Sequence, residues 1–146
     1  MVIALLGDNC VGKSTVAAIL QQELHAQMFT GKDYLRLAKN ADSARALFQK
    51  RLEEAVTGET VLYLISEKEQ IPLLPQGSRR FLLTASLERI KERFAARLHG
   101  NLPPPVAAML ERNYGQFEQE EWECRLDMEA LTAQEAAQCI LQQLAD

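Results

Sequence analysis

The sequence feature that most constrains this chain is a glycine-bounded loop between two apolar segments. Residues 7–14 read Gly-Asp-Asn-Cys-Val-Gly-Lys-Ser, which matches the pattern G-x-x-x-x-G-K-[S/T]. The apolar run Val2–Leu6 before the loop is typical of a strand that is buried on both faces. After the loop, apolar residues recur every four positions over 16–24 and predict a helix that begins near Lys13. A strand, a tight loop and a helix in this order indicate an α/β domain.

Residues 7–14, called the P-loop below, predict a binding site for the phosphates of a nucleoside triphosphate. Glycine at positions 7 and 12 permits backbone angles that turn N–H groups inward, where they and the helix N-terminus attract phosphate oxygens. Lys13 is placed to reach the β- and γ-phosphates, and the Ser14 hydroxyl is placed to bind Mg²⁺. The predicted nucleotide-binding residues are Gly7, Asp8, Asn9, Cys10, Val11, Gly12, Lys13, Ser14 and Thr15. Cys10 is either a reactive thiol at a helix N-terminus or a small residue that fits the loop.

The bulk composition favours one ordinary domain over residues 1–146. The formal net charge of −4 argues against a nucleic-acid-binding protein, which needs clustered basic residues. No apolar run approaches the length that spans a membrane. The three cysteines show no metal-ligand spacing and are interpreted as reduced thiols. We therefore expect a cytoplasmic protein that binds neither nucleic acid nor membranes.

Strands and helices are predicted to alternate along the whole chain. Further strands are predicted near 27–29, over 60–66 and 80–84, and around 122–126. Helices are predicted from about Ser43, after a Ser86 cap, in a short segment through Tyr114, and after a capping box formed by Thr132 and Glu135. Alternation of this kind predicts a parallel sheet with helices on its faces.

The motifs that are missing narrow the class of nucleotide-binding protein. A GTPase would carry a base-reading Asn-Lys-x-Asp, and the nearest string, residues 39–42, reads Lys-Asn-Ala-Asp. ATP is therefore the expected nucleotide. A motor or AAA-type ATPase would need a longer chain. A small phosphotransferase is the class that remains.

Several segments resemble one group of small kinases. These are Leu5-Leu6-Gly7, Phe81–Ser86, the run from Glu88-Arg89 to Arg97, and Glu111-Arg112. With the P-loop, they resemble the nucleoside monophosphate kinase-like P-loop kinases, the group that holds adenylate, cytidylate and shikimate kinases. The resemblance implies a three-layer sandwich with a five-stranded parallel sheet of order 2-3-1-4-5. It also implies ATP with Mg²⁺ and a mobile, arginine-bearing lid.

Two departures from the group concern the molecule that receives the phosphoryl group. Members that phosphorylate nucleotides usually carry an arginine-rich segment after the third strand, whereas residues 66–69 here read Ser-Glu-Lys-Glu. The stretch between the first helix and the third strand also leaves little room for a nucleotide-binding subdomain. The acceptor is therefore left open between a nucleotide and a small hydroxylated metabolite.

Arginines of the predicted lid are candidates for catalysis. Arg89, Arg93 and Arg97 lie four apart and share one helix face. The resemblance implies a lid over about 99–117, to which Arg112 would belong. Cations at these positions would meet the charge on the migrating phosphoryl group, so Arg93, Arg97 and Arg112 are predicted to be catalytic along with Lys13. The alternative is an exposed basic face that is neutralised by glutamates of the same helix.

Three charged residues beyond predicted strands are candidates for binding the acceptor. Glu67 follows the third strand and is placed either to hold Mg²⁺ through water or to orient an acceptor hydroxyl, unless it pairs with Lys68. Asp33 and Arg36 follow the second strand, and shikimate-type members use an acidic residue near this point. Asp33 would hold a hydroxyl, and Arg36 would hold an anionic group.

The sequence as a whole predicts an ATP-dependent kinase that acts on a small-molecule acceptor. The alternative function is a nucleotide-binding regulatory module with little or no turnover. The identity of the acceptor and the oligomeric state do not follow from the sequence.

Overall fold

Five parallel strands form the central sheet. The computed structural model describes all residues from Met1 to Asp146. The strands are β1 (Val2–Leu6), β2 (Gln27–Thr30), β3 (Val61–Ile65), β4 (Arg79–Thr84) and β5 (Cys124–Asp127). Their order in the sheet is β2-β3-β1-β4-β5, and every neighbouring pair is parallel. The predicted sheet order is therefore confirmed, with the P-loop strand at the centre.

Five α-helices connect the strands and cover the sheet. They are α1 (Lys13–Leu24), α2 (Ala41–Ala55), α3 (Leu87–Arg97), α4 (Pro104–Asn113) and α5 (Ala133–Ala145). Two short 3₁₀ helices that the sequence did not predict span Asp33–Leu37 and Lys68–Leu73. None of these helices combines the length and the hydrophobicity needed to cross a lipid bilayer.

Apolar side chains form one core on each face of the sheet. One core joins Ile3 and Leu5 of β1 to apolar residues of α1, α3 and α5. The other joins Val2, Ala4 and Leu6 to apolar residues of α2. Because β1 is covered on both faces, all five of its residues are buried. This explains why its sequence is continuously apolar and does not alternate between apolar and polar residues.

Helix caps set where several of these elements begin. Ser86 caps α3 as predicted, and the predicted capping box at the start of α5 is present. Helix α2 begins at Ala41, two residues before the predicted position, because the Asn40 side chain accepts a hydrogen bond from the N–H of Ser43. The last strand begins at Cys124, slightly later than predicted.

Candidate functional site

The P-loop joins the carboxyl end of β1 to the N-terminus of α1. In parallel α/β sheets, ligands bind beyond the carboxyl ends of the strands, and the P-loop lies at that edge. A Cβ atom at Gly7 would lie 2.7 Å from the carbonyl oxygen of Leu83 and 2.9 Å from a methyl group of Val11. Gly12 has a φ of +110°, which favours glycine. Both glycines of the motif are therefore required by the backbone.

The N–H groups of the P-loop are available to an anion. None of the backbone N–H groups of residues 8–12 donates a hydrogen bond to another protein atom. Helix α1 has no capping side chain and no acidic residue in its first turn. Unpaired backbone donors are rare in folded proteins, and together with a helix N-terminus they form a site for a phosphate group.

Lys13 lies inside this loop. Its side chain is buried, and its Nζ atom donates hydrogen bonds to the carbonyl oxygens of Gly7 and Asp8 at 2.5 and 2.8 Å. Burial lowers the pKa of Lys13 from its ordinary value of 10.5 to about 8, an effect that Asp8 and Cys10 oppose and Arg97 increases. A buried ammonium group has lost its hydration, so a bound anion stabilises its charged form more than it would stabilise that of an exposed lysine.

The lowered pKa of Lys13 predicts how stability depends on pH. Between pH 8 and 10.5 the unfolded chain binds more protons at this lysine than the folded chain, so stability rises with pH in that window. Below pH 8 the full cost of burying the charge, about 3 kcal/mol, is present. We expect the free energy of unfolding of the metal-free and nucleotide-free protein, measured with urea, to rise by about 2 to 3 kcal/mol from pH 7 to pH 10, relative to Lys13→Met. Parallel pH profiles for the two proteins would contradict this.

One cleft opens on the side of the P-loop that faces α3. This α3 cleft, about 520 Å³ in volume, is lined by Cys10–Gly12 and Thr15, by Arg93 and Arg97, and by residues beyond β5 that include Met128. The Arg93 guanidinium donates a hydrogen bond of 3.0 Å to the carbonyl oxygen of Cys10, which fixes it against the loop. The thiol of Cys10 is itself buried, which favours its interpretation as a residue that fits the loop.

The contacts of α3 distinguish its three arginines. Arg89 pairs with Glu129 at 3.9 Å, and none of the three arginines forms an ion pair with a glutamate of its own helix. Arg93 and Arg97 instead line the α3 cleft. Glu88 and Glu92 therefore do not pair with these arginines, and the catalytic roles of Arg93 and Arg97 stay predictions.

Arg112 lies in a different depression, on the side of the P-loop that faces α4. This α4 groove has a volume of about 370 Å³. Its lining residues are Asn9, Ser66, Glu67, Lys68, Glu69, Met109, Arg112, Asn113 and Gln116. Of the predicted lid arginines, Arg93 and Arg97 thus line one site and Arg112 lines the other. Glu67 shares the α4 groove with Arg112.

The chain that follows α4 is fastened to the P-loop by one carboxylate. Asp8 accepts a hydrogen bond of 3.1 Å from the N–H of Gly115 and one of 2.9 Å from the side-chain amide of Gln116. The same amide group donates to the carbonyl oxygen of Ser66 at 2.9 Å, and its oxygen accepts from the N–H of Lys68. Gln116 therefore holds together the P-loop, the end of β3 and the chain after α4.

These contacts divide the predicted lid, residues 99–117, into two parts. Its C-terminal part is anchored, because Phe117 is buried and the Tyr114 hydroxyl donates to the carbonyl oxygen of Ala85. Helix α4 is held more loosely, since Leu110 is its one buried residue. Gly100 has a φ of +89° and open space around its Cα atom, so it is suited to act as a hinge.

This division predicts a specific pattern of amide exchange. We expect residues 98–113 to exchange faster in the free protein than residues 114–117, because Leu110 is the one buried residue of α4, whereas Phe117 is buried and the N–H of Gly115 donates a hydrogen bond to Asp8. Adding Mg²⁺ with a non-hydrolysable ATP analogue should slow exchange in 98–113 only in part. Hydrogen exchange read by mass spectrometry measures both states, and full protection of 98–113 in the free protein would rule out a moving lid.

The two predicted acceptor ligands beyond β2 pair with each other. The Asp33 carboxylate lies 3.1 Å from the Arg36 guanidinium, and its second oxygen accepts from the N–H of Thr30. Burial raises the pKa of Tyr63, and Tyr34, Asp33 and Glu67 add to this effect. Asp33 and Glu67 therefore lie near the same tyrosine, but neither Asp33 nor Arg36 lines the α4 groove.

Sequence reasoning missed one contributor to the site and the role of another. Gln116 was not assigned at all, and Asp8 was predicted only as a nucleotide-binding residue of the P-loop, not as the carboxylate that anchors the chain after α4. An acidic residue at the second position of a phosphate-binding loop is a signal, because a carboxylate there would repel phosphate unless another group engaged it. No local pattern points to Gln116.

Comparison with solved structures shows the same fold in several kinases. A sugar kinase from Janibacter sp. HTCC2649 is 17% identical, with a TM-score of 0.70 over 99% of this chain and 94% of that one. Shikimate kinase from Acinetobacter baumannii is 17% identical, with a TM-score of 0.65 over 99% and 92% of the two chains. Deoxyadenosine kinase from M. mycoides with bound dATP is 17% identical, with a TM-score of 0.63 over the full length of both chains.

The predicted P-loop kinase fold is confirmed by these likenesses, and identities this low establish the fold alone. No family model matches the sequence, and the comparison with curated proteins finds no match.

Proposed function

We propose that this chain is an ATP-dependent kinase that transfers the γ-phosphoryl group of ATP to a small-molecule acceptor. The observation that carries the proposal is the P-loop itself, with five consecutive N–H groups that have no protein acceptor and a buried lysine among them. Such a loop binds phosphate oxygens through its backbone and supplies the cation that transfer of a phosphoryl group requires. The three solved neighbours described above are all named as kinases, which agrees with this assignment.

The two depressions beside the P-loop suit the two halves of the reaction. We assign the nucleoside part of ATP to the α3 cleft, where apolar Val11 and Met128 would contact the base. Arg93 and Arg97 would contact the phosphates from the same side. We assign the acceptor to the α4 groove, which Asn9 of the P-loop also lines.

The P-loop also fits a magnesium ion. Ser14 is exposed in the first turn of α1, where its hydroxyl is free of hydrogen bonds to the protein. A serine hydroxyl and phosphate oxygens are hard oxygen ligands of the kind that Mg²⁺ prefers. When bound, Mg²⁺ would neutralise phosphate charge, and Ser14 would be its ligand from this chain.

An acceptor screen with the purified protein, read as ADP release, tests the proposal. We expect ADP release to depend on both ATP and an acceptor, and to be lost in Ser14→Ala. A control variant, Ser43→Ala, changes a serine near the start of α2 and should retain activity. A protein that binds ATP tightly but releases no ADP with any acceptor would instead be the regulatory module that the sequence left open.

A further inference from the structure

Polar side chains without partners converge on the α4 groove. Glu67, Glu69, Arg112 and Asn113 form no side-chain hydrogen bond or ion pair with the protein, and neither does Asn9 on the P-loop side. Hydrogen-bonding groups of both kinds, carboxylate acceptors and amide or guanidinium donors, therefore face one volume of about 370 Å³.

The charges that line the groove balance. Two carboxylates, Glu67 and Glu69, face two cations, Lys68 and Arg112. A nucleoside monophosphate or a sugar acid brings negative charge, and binding it calls for a surplus of cations, usually arginines. Arg112 is the one arginine that lines the groove, and Arg36, beyond β2, is paired with Asp33.

The groove also lacks a platform for a nucleobase. Met109 is its one apolar lining residue, and no aromatic ring lines it. Sites that bind a base present apolar and aromatic side chains, so the lining disfavours a nucleoside as the acceptor. A groove of this polarity fits a ligand that carries many hydroxyl groups.

From these observations, and on the basis of the function proposed above, we propose that the α4 groove binds a small uncharged sugar or polyol as the phosphoryl acceptor. Glu67 and Glu69 would accept hydrogen bonds from hydroxyl groups, while Arg112 and Asn113 would donate to hydroxyl oxygens. The amide of Gln116 is not available to the ligand, because Asp8, Ser66 and Lys68 use both its nitrogen and its oxygen.

Glu67 is the carboxylate that would accept the proton of the reacting hydroxyl. It follows β3, the strand next to β1 in the sheet, and shares the groove with Asn9 of the P-loop. The hydroxyl oxygen of the acceptor forms a bond to the γ-phosphorus of ATP, and the bond from that phosphorus to the β,γ-bridging oxygen breaks. ADP leaves with the electron pair of the broken bond, and the hydroxyl proton passes to the Glu67 carboxylate.

A panel of acceptors with different charge tests the proposal. The neutral probes are glucose, ribose, mannitol and myo-inositol; the anionic probes are gluconate, shikimate, AMP and CMP; adenosine represents nucleosides. We expect at least one neutral sugar or polyol to give a kcat/KM roughly tenfold or more above that of every anionic probe and of adenosine. A higher kcat/KM for an anionic probe or for adenosine would overturn this inference and leave the proposed kinase function standing. ADP release with none of the probes would overturn both.

Two variants of the groove sharpen the test. Glu67→Gln should lower kcat by about 100-fold or more while the KM for ATP stays unchanged, and Glu67→Asp should restore part of the loss. Glu69→Lys should raise kcat/KM for gluconate relative to glucose by about tenfold, because it adds a charged donor to the groove. Glu88→Lys, on the exposed surface of α3, is the matched control. It should change neither kcat nor the ratio of kcat/KM for gluconate to that for glucose. An unchanged kcat in Glu67→Gln, or an unchanged ratio in Glu69→Lys, would contradict the proposal.

Discussion

Lys13→Ala is expected to abolish the stabilisation of this protein by ATP and to lower its turnover by about 1000-fold or more. The lysine is the one basic side chain that the P-loop itself supplies, and it is buried with its Nζ atom against the carbonyl oxygens of Gly7 and Asp8. For the wild type, ATP at about 100 times its dissociation constant should stabilise the fold by about 2.7 kcal/mol. Thermal denaturation with and without ATP measures the effect.

The matched control for this prediction is Lys50→Ala. Lys50 is exposed on α2 and forms no ion pair, so its removal should leave both the ATP-dependent shift and the turnover unchanged. Far-ultraviolet circular dichroism of Lys13→Ala checks that the fold survives. A thermal shift in Lys13→Ala as large as in the wild type would show that the phosphates bind elsewhere.

The second large effect is expected at the arginines of the α3 cleft. Arg93 is hydrogen-bonded to the carbonyl oxygen of Cys10 and Arg97 lines the same cleft, so both lie beside the loop that would hold the phosphates. We expect Arg93→Ala and Arg97→Ala each to lower kcat by about 100-fold while ATP affinity changes far less, because contacts to the migrating group strengthen in the transition state.

Arg89→Ala provides the control on the same helix. Arg89 pairs with Glu129 and does not line the α3 cleft, so its removal should change kcat by less than about threefold. Steady-state kinetics with isothermal titration of ATP separates the two parameters. Equal losses in all three variants would assign the effect to the overall charge of α3, and unchanged kcat in all three would remove these arginines from the mechanism.

The sheet and the P-loop follow from local sequence patterns. Strands β1 and β3 are central and covered on both faces, and every residue of each is buried, so both carry a continuous apolar signal. The glycines of the P-loop are recognised from an eight-residue motif, in which Gly12 has a backbone angle that favours glycine, although the close approach of Gly7 to Leu83 of β4 is seen only in the structure. Predictions of this kind need no knowledge of distant contacts.

The arrangement of side chains around the P-loop does not follow from local patterns. Asp8 and Gln116 are 108 residues apart, and their hydrogen bond depends on how the chain after α4 packs. Arg112 was grouped with Arg93 and Arg97 by resemblance, whereas packing places it in the α4 groove. Spacing within one helix defines a face, but the neighbours of that face are set by tertiary structure.

The second 3₁₀ helix and the Asp33–Arg36 pair depend on short local segments, but the sequence alone did not predict them. Asp33 and Arg36 are three residues apart, which places them within reach of each other once the segment turns into a 3₁₀ helix. Residues 68–73 contain Pro72, and no helix was predicted there. Such short elements carry too few residues for a periodic signal, so their ion pairs are seen only in the structure.

Phosphorus NMR of a complete reaction tests the central claim of kinase activity most directly. The purified protein is incubated with ATP, Mg²⁺ and the best neutral acceptor, and the phosphorus signals are integrated over time. We predict that the γ-phosphorus signal of ATP is replaced by a phosphate monoester signal equal in amount to the ADP formed, and that Lys13→Ala produces neither. ADP accompanied only by inorganic phosphate, or no loss of ATP at all, would contradict the assignment of this chain as a kinase.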